Sequence, residues 1–200
     1  TGGLLFDPYC GSGTSLAEGR IRGMNCIGTD LNPMARMIAE AKSYLFNITE
    51  IEKHFEIFFE SVKDAFTSLR ELKSLVKPST ITGKELLTWW PEKTIQEMLT
   101  LLELINDIDS EEIKHFYKVA FSECLRIISF QRNSEFKKYR MEENKREKFY
   151  VPLLQEFEKR VLRNISGFKE YKDKLDNEVE VEVYDFNTVN SIPSSILKSK

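Results

Sequence analysis

Histidine is nearly absent, with two in 200 residues, and cysteine occurs only three times. Neither His54 nor His115 has a second histidine four residues away, the pitch at which helical zinc sites repeat, so both read as incidental edge or surface residues. Cys10, Cys26 and Cys124 share no metal-like spacing, so no metal site is expected. An odd count without a leading apolar segment argues against a disulfide scaffold and for the reduced thiols of a cytoplasmic protein. No apolar run reaches the ~18 residues of a transmembrane helix, so no membrane partner is expected. A formal net charge of -3 excludes a polycation wrapped on nucleic acid, and any such contact must come from a local patch. What is present is 41% hydrophobic residue, enough for a real core in one domain with an elaborate insertion.

The informative stretch lies at the start. Leu4–Phe6 and Cys26–Ile27 are short apolar runs bounded by turn residues, as in strands buried in a parallel sheet. Between them Leu16, Ala17 and Ile21 supply a short helix, long enough for a right-handed crossover. The first strand runs into a turn whose Gly11 and Gly13 permit positive backbone dihedrals and close approach of a ligand. Ser12, Thr14 and the first amides of the following helix offer hydrogen-bond donors. Asp30 stands at the tip of the second strand, where a carboxylate accepts both hydroxyls of a ribose. A ribose-bearing cofactor follows. A dinucleotide fingerprint needs a third glycine where this chain has Leu16, and a P-loop needs a lysine that does not occur between Gly11 and Gly23. Asp7, just ahead of the turn, repels a pyrophosphate and suits a ligand with a positive amino or sulfonium group.

Asp7-Pro8-Tyr9-Cys10-Gly11-Ser12-Gly13-Thr14 closely resembles the first motif, D-P-F-C-G-S-G-T, of the S-adenosylmethionine-dependent DNA amino-methyltransferases that act on adenine N6 or cytosine N4. Tyr9 for phenylalanine is the sole departure, and it keeps the ring. Gly28-Thr29-Asp30-Leu31-Asn32-Pro33 is similar to their second motif. The resemblance implies a Rossmann-like methyltransferase fold, S-adenosylmethionine as cofactor, DNA as partner and service in restriction-modification. It also implies that Leu31 packs on the adenine ring, that Asp185 accepts a hydrogen bond from the adenine amino group, and that Phe186 lies beside the ring. Cys10, inside the turn, reads as a small turn residue rather than a nucleophile. The family's fourth motif, S/D/N-P-P-Y/F/W, does not occur in residues 1–200, so the catalytic residues are unassigned. Two other readings stay open. RNA guanine-N2 methyltransferases share a D-P-x-C-G-S-G-T turn, and a non-catalytic subunit would keep the cofactor fold without the amine-binding motif.

Further along, Asn32 and Pro33 start a helix whose Met34, Met37, Ile38, Ala41 and Leu45 are expected on one buried face. Thr49 and Glu52 have the spacing of a capping box for a helix reaching about Lys77, with a phenylalanine stripe assigned to core packing. A break at Pro78–Gly83 precedes the Trp89-Trp90 pair, read as an interhelical anchor. The next helix carries Ile95, Met98, Leu99, Leu102 and Ile105, and another begins at Asp109–Glu112. From Arg132 to Tyr150 basic residues alternate with acids and aromatics. Arg132, Lys137, Lys138 and Arg140 are candidates for phosphate contact, and a solvated helix face is the competing reading. The resemblance extends faintly here, to the helical insertion of one branch of these methylases. A helix over about Val151–Tyr171, ending near Gly167 and a lysine-rich turn, should bury Leu154, Phe157, Val161, Leu162 and Ile165. Alternation over Val179–Phe186 marks a third strand.

The expected architecture is α/β, a Rossmann-like partial parallel sheet with a large helical insertion between the second and third strands. Residues 1–48 form a cofactor-binding βαβα unit, 49–177 the insertion, and 178–200 the third strand and the start of the next helix. Three strands leave sheet surface to be covered by the remainder of the polypeptide or by another copy. A start at Thr1 rather than Met, just ahead of a central strand, is expected of a piece of a longer protein.

Overall fold

The computed structural model describes residues 2–69, 81–132, 137, 139–174 and 178–189. It is a mixed α/β protein with a small parallel sheet. The elements run β1 (Leu4–Asp7), α1 (Thr14–Ile21), β2 (Asn25–Thr29), α2 (Pro33–Ser43), α3 (Ile48–Leu69), α4 (Ile81–Trp89), α5 (Glu92–Asn106), α6 (Glu111–Cys124), α7 (Glu143–Arg146), α8 (Leu153–Lys172) and β3 (Val181–Tyr184). Two compact units result, Thr1–Phe46 with Lys169–Lys200, and Asn47–Phe168. Among the described residues no helix is long and apolar enough to cross a membrane.

In the first unit the sheet order is β1-β2-β3, all parallel, with Leu5 opposite Cys26 and Gly28 opposite Val183. Cys10, Leu16, Cys26 and Ala39 form its buried centre, with Leu5, Met24, Val181 and Val183 packed against them. These are small or slender side chains, and they let the helices approach the sheet closely. Arg20 is buried on α1, and its Nη1 donates to the carbonyl of Ser43. A cation on the last carbonyls of α2 suits the negative end of that helix. The α2 face is not as the periodicity suggests. Ala39, Ala41 and Ser43 are buried, whereas Met34 and Leu45 are exposed, because the short distance to α1 admits only small residues.

The second unit packs α3, α5, α6 and α8 around aromatic rings. Phe58 stacks on Tyr117 with centroids 4.8 Å apart, and Phe157 meets Tyr117 edge-on at 5.9 Å. Ile51, Phe55, Phe58, Phe59 and Val62 are buried along α3, so that stripe is core. Its cap is Asn47 rather than Thr49: Asn47 Oδ1 accepts from the amide of Glu50, and Asn47 Nδ2 donates to Glu50 Oε2. The cap thus lies two residues earlier than the Thr49–Glu52 spacing suggests, and only half of the box forms, because the Asn47 backbone amide donates to Glu112 Oε1 at 2.8 Å instead of to Glu50. The stretch 70–80 lies outside the described residues, as do the predicted end of that helix and residues 78–80 of the expected break, whereas Ile81–Gly83, expected in the break, open α4. Trp90 Nε1 donates to the carbonyl of Leu125 at 3.0 Å, tying α4 to the end of α6 as an anchor should. On α5 Leu101 is buried and Leu99 exposed, and on α8 Leu153 is buried and Leu162 exposed. Helix α8 continues through Gly167 to Lys172. Ser110 Oγ accepts from Ile113 N and caps α6, whose first turn carries Glu111 and Glu112.

Candidate cofactor site

The site grows out of the end of β1. Asp7 is the last residue of that strand, and its carboxylate folds over the turn that follows. Oδ1 accepts from the amide of Tyr9 at 3.0 Å and Oδ2 from the hydroxyl of Ser15. Pairing to β2 persists past the strand, with Cys10 N donating to Thr29 O at 3.0 Å and Thr29 Oγ1 to Pro8 O at 2.9 Å. Gly13 N donates to Cys10 O at 2.8 Å, and α1 begins at Thr14.

Gly13 has φ +73°, and a Cβ on it would lie 2.7 Å from the Cα of Ala39. No side chain fits there, so this glycine is what brings α1 and α2 together. Gly11 also has positive φ, +52°, but a Cβ on it meets nothing within 4 Å. Its reason is different: it leaves open space over the turn.

Asp30, just past β2, binds two loops at once. Oδ2 accepts from Gly11 N at 3.0 Å and Oδ1 from Asn32 N at 2.8 Å. Asn32 in turn caps α2 by accepting from Met34 N at 3.0 Å. Asn32 thus caps α2 as its sequence position suggested, and Asp30 does what the sequence did not announce: it secures the glycine turn. A carboxylate has about four acceptor positions, so two remain after these bonds.

Beside Asp30 lies a cleft of about 120 Å³ lined by Pro8, Tyr9, Leu31, Phe186, Asn187 and Thr188. Tyr9 and Leu31, two of its walls, are 69% and 59% exposed. Asp30 N donates to Tyr184 O, and Thr188 Oγ1 to Pro8 O, which hold the end of β3 against the other two strand ends. Apolar walls with one ionised acceptor suit a flat ring joined to a ribose. The volume is below the 300 Å³ or so of an ordinary ligand pocket and accommodates part of such a molecule. The residues present therefore fit a nucleoside-bearing cofactor.

Asp185 sits at the end of β3 but is not among the cleft-lining residues. Its carboxylate is 67% exposed and pairs with Arg36, whose Nη1 and Nη2 lie 3.1 and 3.0 Å from its two oxygens. Arg36 is the functional candidate that sequence reading missed. Lys42 Nζ donates to Ser12 Oγ at 3.2 Å and puts a second cation beside the turn. Cys10 is buried, and its thiol is pushed up to about 11 by burial first and then by the negative charges of Asp30 and Asp7. It stays protonated at neutral pH, which agrees with a turn residue and not a nucleophile. The negative charges of Asp30 and Asp7 at the thiol are opposed by the cation of Arg36.

The second unit holds the basic stretch. Gln131 and Arg140 form an antiparallel bridge, and Arg132 N donates to Tyr139 O at 2.9 Å, so Arg132 and Arg140 stand on neighbouring arms with Lys137 between them in the chain. Lys138 lies outside the described residues. Acids share the surface: Glu142 is 3.7 Å from Arg132 and 3.3 Å from Lys145. Arg140 Nη1 donates to Thr88 O at 3.3 Å. His54 is more than an edge residue, because its Nδ1 is 3.1 Å from the Tyr117 hydroxyl and its pKa is lowered by burial. Larger hollows of about 730 and 540 Å³ occur in this unit, and neither includes a residue of the glycine turn. Among the described residues no cluster of histidine, cysteine and carboxylates could hold a metal ion.

No family model matches the chain, and no solved structure does. Among curated proteins it is similar to three type II methyltransferases. It is 34% identical to M.MvaI of Kocuria varians over 179 residues, 86% of this chain and 38% of that protein. It is 26% identical to M.BsoBI of Geobacillus stearothermophilus over 125 residues, 58% of this chain and 25% of that protein. To M.MjaII of Methanocaldococcus jannaschii it is 38% identical over 52 residues, 26% of this chain and 10% of that protein. The chain thus spans well under half the length of the curated relatives it matches. Related over most of its length to one of these enzymes and over shorter stretches to two others, the chain belongs to the DNA methyltransferase family.

Proposed function

We propose that this chain carries the S-adenosylmethionine site of a type II DNA methyltransferase that modifies an exocyclic amine, adenine N6 or cytosine N4, within a restriction-modification system. The observation that carries the reading is the Asp7–Thr14 turn itself, held by Asp30 through Gly11 N. Its sequence resembles the first motif of the amino-methyltransferases, with Tyr9 in place of phenylalanine, and its geometry leaves open space over Gly11 beside a small cleft.

Bound there, S-adenosylmethionine supplies a methyl group on a positively charged sulfur. Asp30 takes the ribose hydroxyls with the acceptor positions left by its two amide bonds. Tyr9, Leu31 and Phe186 wall the adenine, while Asp185 accepts from its amino group. Pro8 and Cys10 shape the turn, and Gly11, Ser12, Gly13 and Thr14 form its open face. Asn32 fixes the loop that presents Asp30 and Leu31. The field of Asp7 and Asp30 favours the cationic cofactor over a neutral product that has lost its methyl group.

In this reading residues 1–48 are the cofactor unit of a Rossmann-like methyltransferase, 49–177 a helical insertion between its second and third strands, and 178–200 the third strand and beyond. The insertion meets DNA, with Arg132, Lys137, Lys138 and Arg140 on phosphates. The outer edge of β1 is covered by further polypeptide or a second copy, and the protein works in the cytoplasm.

The test is calorimetric titration of the full chain with S-adenosylmethionine, beside Asp30→Ala and a melting curve for each. Loss of one ribose-holding carboxylate lowers affinity at least roughly tenfold. Equal affinity in the two proteins would remove Asp30 from the site.

A further inference from the structure

Arg36 stands in the first turn of α2, the positive end of the helix dipole, where a cation is unfavourable unless something offsets it. The offset is visible. Its side chain is only 16% exposed, with Nη1 donating to the carbonyl of Asp30 at 2.7 Å and to Oδ1 of Asp185 at 3.1 Å. Nη2 donates to Oδ2 of Asp185 at 3.0 Å. One guanidinium therefore joins the exits of β2 and β3, with Asp185 149 positions beyond Arg36 in the chain.

We propose that Arg36 is the positioning residue for adenine recognition: it clamps the ends of β2 and β3 and presents Asp185 as an acceptor of fixed orientation. The inference rests on the reading above, that Asp185 receives the adenine amino group. A planar fork pairs with both oxygens of a carboxylate along one edge, and each oxygen keeps a second lone pair for a donor arriving from elsewhere. The clamp thus orients the acid without exhausting it. It also brings a positive charge to a face where Asp7, Asp30 and Asp185 gather at three successive loops, and the same cation opposes Asp30 and Asp7 in the field at the Cys10 thiol. An unclamped Asp185 on an exposed loop end would be free to rotate, and its hydrogen bond would carry the entropy of ordering it. Lysine in place of arginine keeps the charge but not the fork.

The experiment titrates the full chain with S-adenosylhomocysteine and with S-inosylhomocysteine, in which an oxo group replaces the 6-amino group. Wild type, Arg36→Lys, Arg36→Gln, Asp185→Ala and the Arg36→Gln/Asp185→Ala double variant are compared, each with a melting curve. Wild type should prefer the amino compound by at least roughly tenfold, the discrimination expected of a charged acceptor facing an N–H. Both Arg36 variants should lose most of that preference, and the double variant should discriminate no worse than Asp185→Ala alone, since the two residues act as one unit. Should Arg36→Gln not fold, Arg36→Lys, which keeps stem and charge, carries the same comparison. If Asp185→Ala removes the preference while the Arg36 variants retain it, the clamp is wrong and the adenine assignment stands. If Asp185→Ala itself retains it, the adenine assignment fails and the clamp falls with it.

Discussion

Gly11 and Gly13 offer a paired perturbation whose outcomes differ for reasons visible in the turn. Both have positive φ, so replacing either with alanine costs about 1–2 kcal/mol for the left-handed backbone, reduced by roughly 0.4–1 kcal/mol through the stiffer unfolded chain. At Gly11 that is the whole stability cost, because the added methyl meets nothing within 4 Å. At Gly13 the methyl arrives 2.7 Å from the Cα and Cβ of Ala39, and a backbone atom cannot step aside as a flexible side chain would. Displacing α2 adds an overpacking penalty of about 1–3 kcal/mol. Gly13→Ala should thus lose about 1–5 kcal/mol and Gly11→Ala at most about 1.6 kcal/mol, melting shifts of roughly 2–18 °C and up to about 6 °C for a chain of this size. Affinity for S-adenosylhomocysteine should order the other way relative to stability. Gly11→Ala, nearly as stable as wild type, intrudes on the space assigned to the cofactor and should bind at least tenfold more weakly. Thermal melts with calorimetric titration read both quantities. Equal melting shifts for the two variants would refute the packing argument. A stable Gly11→Ala with wild-type affinity would refute the placing of the cofactor against the turn.

Two further outcomes follow from titrating groups. With its thiol pushed up to about 11 by burial and by Asp30 and Asp7, Cys10 is thiolate in roughly one molecule in a thousand at pH 8, so iodoacetamide should leave it unmodified in the folded protein, as peptide mapping would show. His54 has a folded pKa below its ordinary value because burial disfavours the imidazolium, so the unfolded chain binds the proton first. Its contribution to stability is present above about pH 6.5 and is lost as pH falls toward the folded pKa. Melting temperature should decline on acidification through that window, and His54→Gln should flatten that part of the profile.

How far the chain could be read before its structure was known depended on whether local chemistry or distant packing decided the outcome. The β1–α1 turn, β2 and the Asn32 cap were legible because glycine, proline and a capping amide act on their own neighbours. The face of α2 was not, since Met34 and Ala39 both fit helical periodicities, and only the closeness of α1, set by Gly13, admits Ala39 and turns Met34 outward. Leu99 and Leu101 present the same problem on α5, where apolar residues occupy more than one face and the neighbouring helices choose. The cap at Asn47 was overlooked because Thr49 and Glu52 also have the spacing, and a two-residue shift of a helix start leaves little trace in composition. In the candidate site, the gathering of Asp7, Gly11 and Asp30 was expected from the motifs. The role of Asp30 in pinning Gly11 N needed the fold. Arg36 left one signal, a cation in the first turn of a helix following an acidic strand end, against the direction that the helix dipole favours.

The most direct test of the central claim is to incubate the full-length protein that carries this chain with methyl-labelled S-adenosylmethionine and DNA, digest the product and separate the nucleosides. Label in N6-methyladenine or N4-methylcytosine, abolished or much reduced by Asp30→Ala, is the predicted result. Label in a ring carbon of cytosine, or in RNA guanine when RNA is offered in place of DNA, would contradict the account.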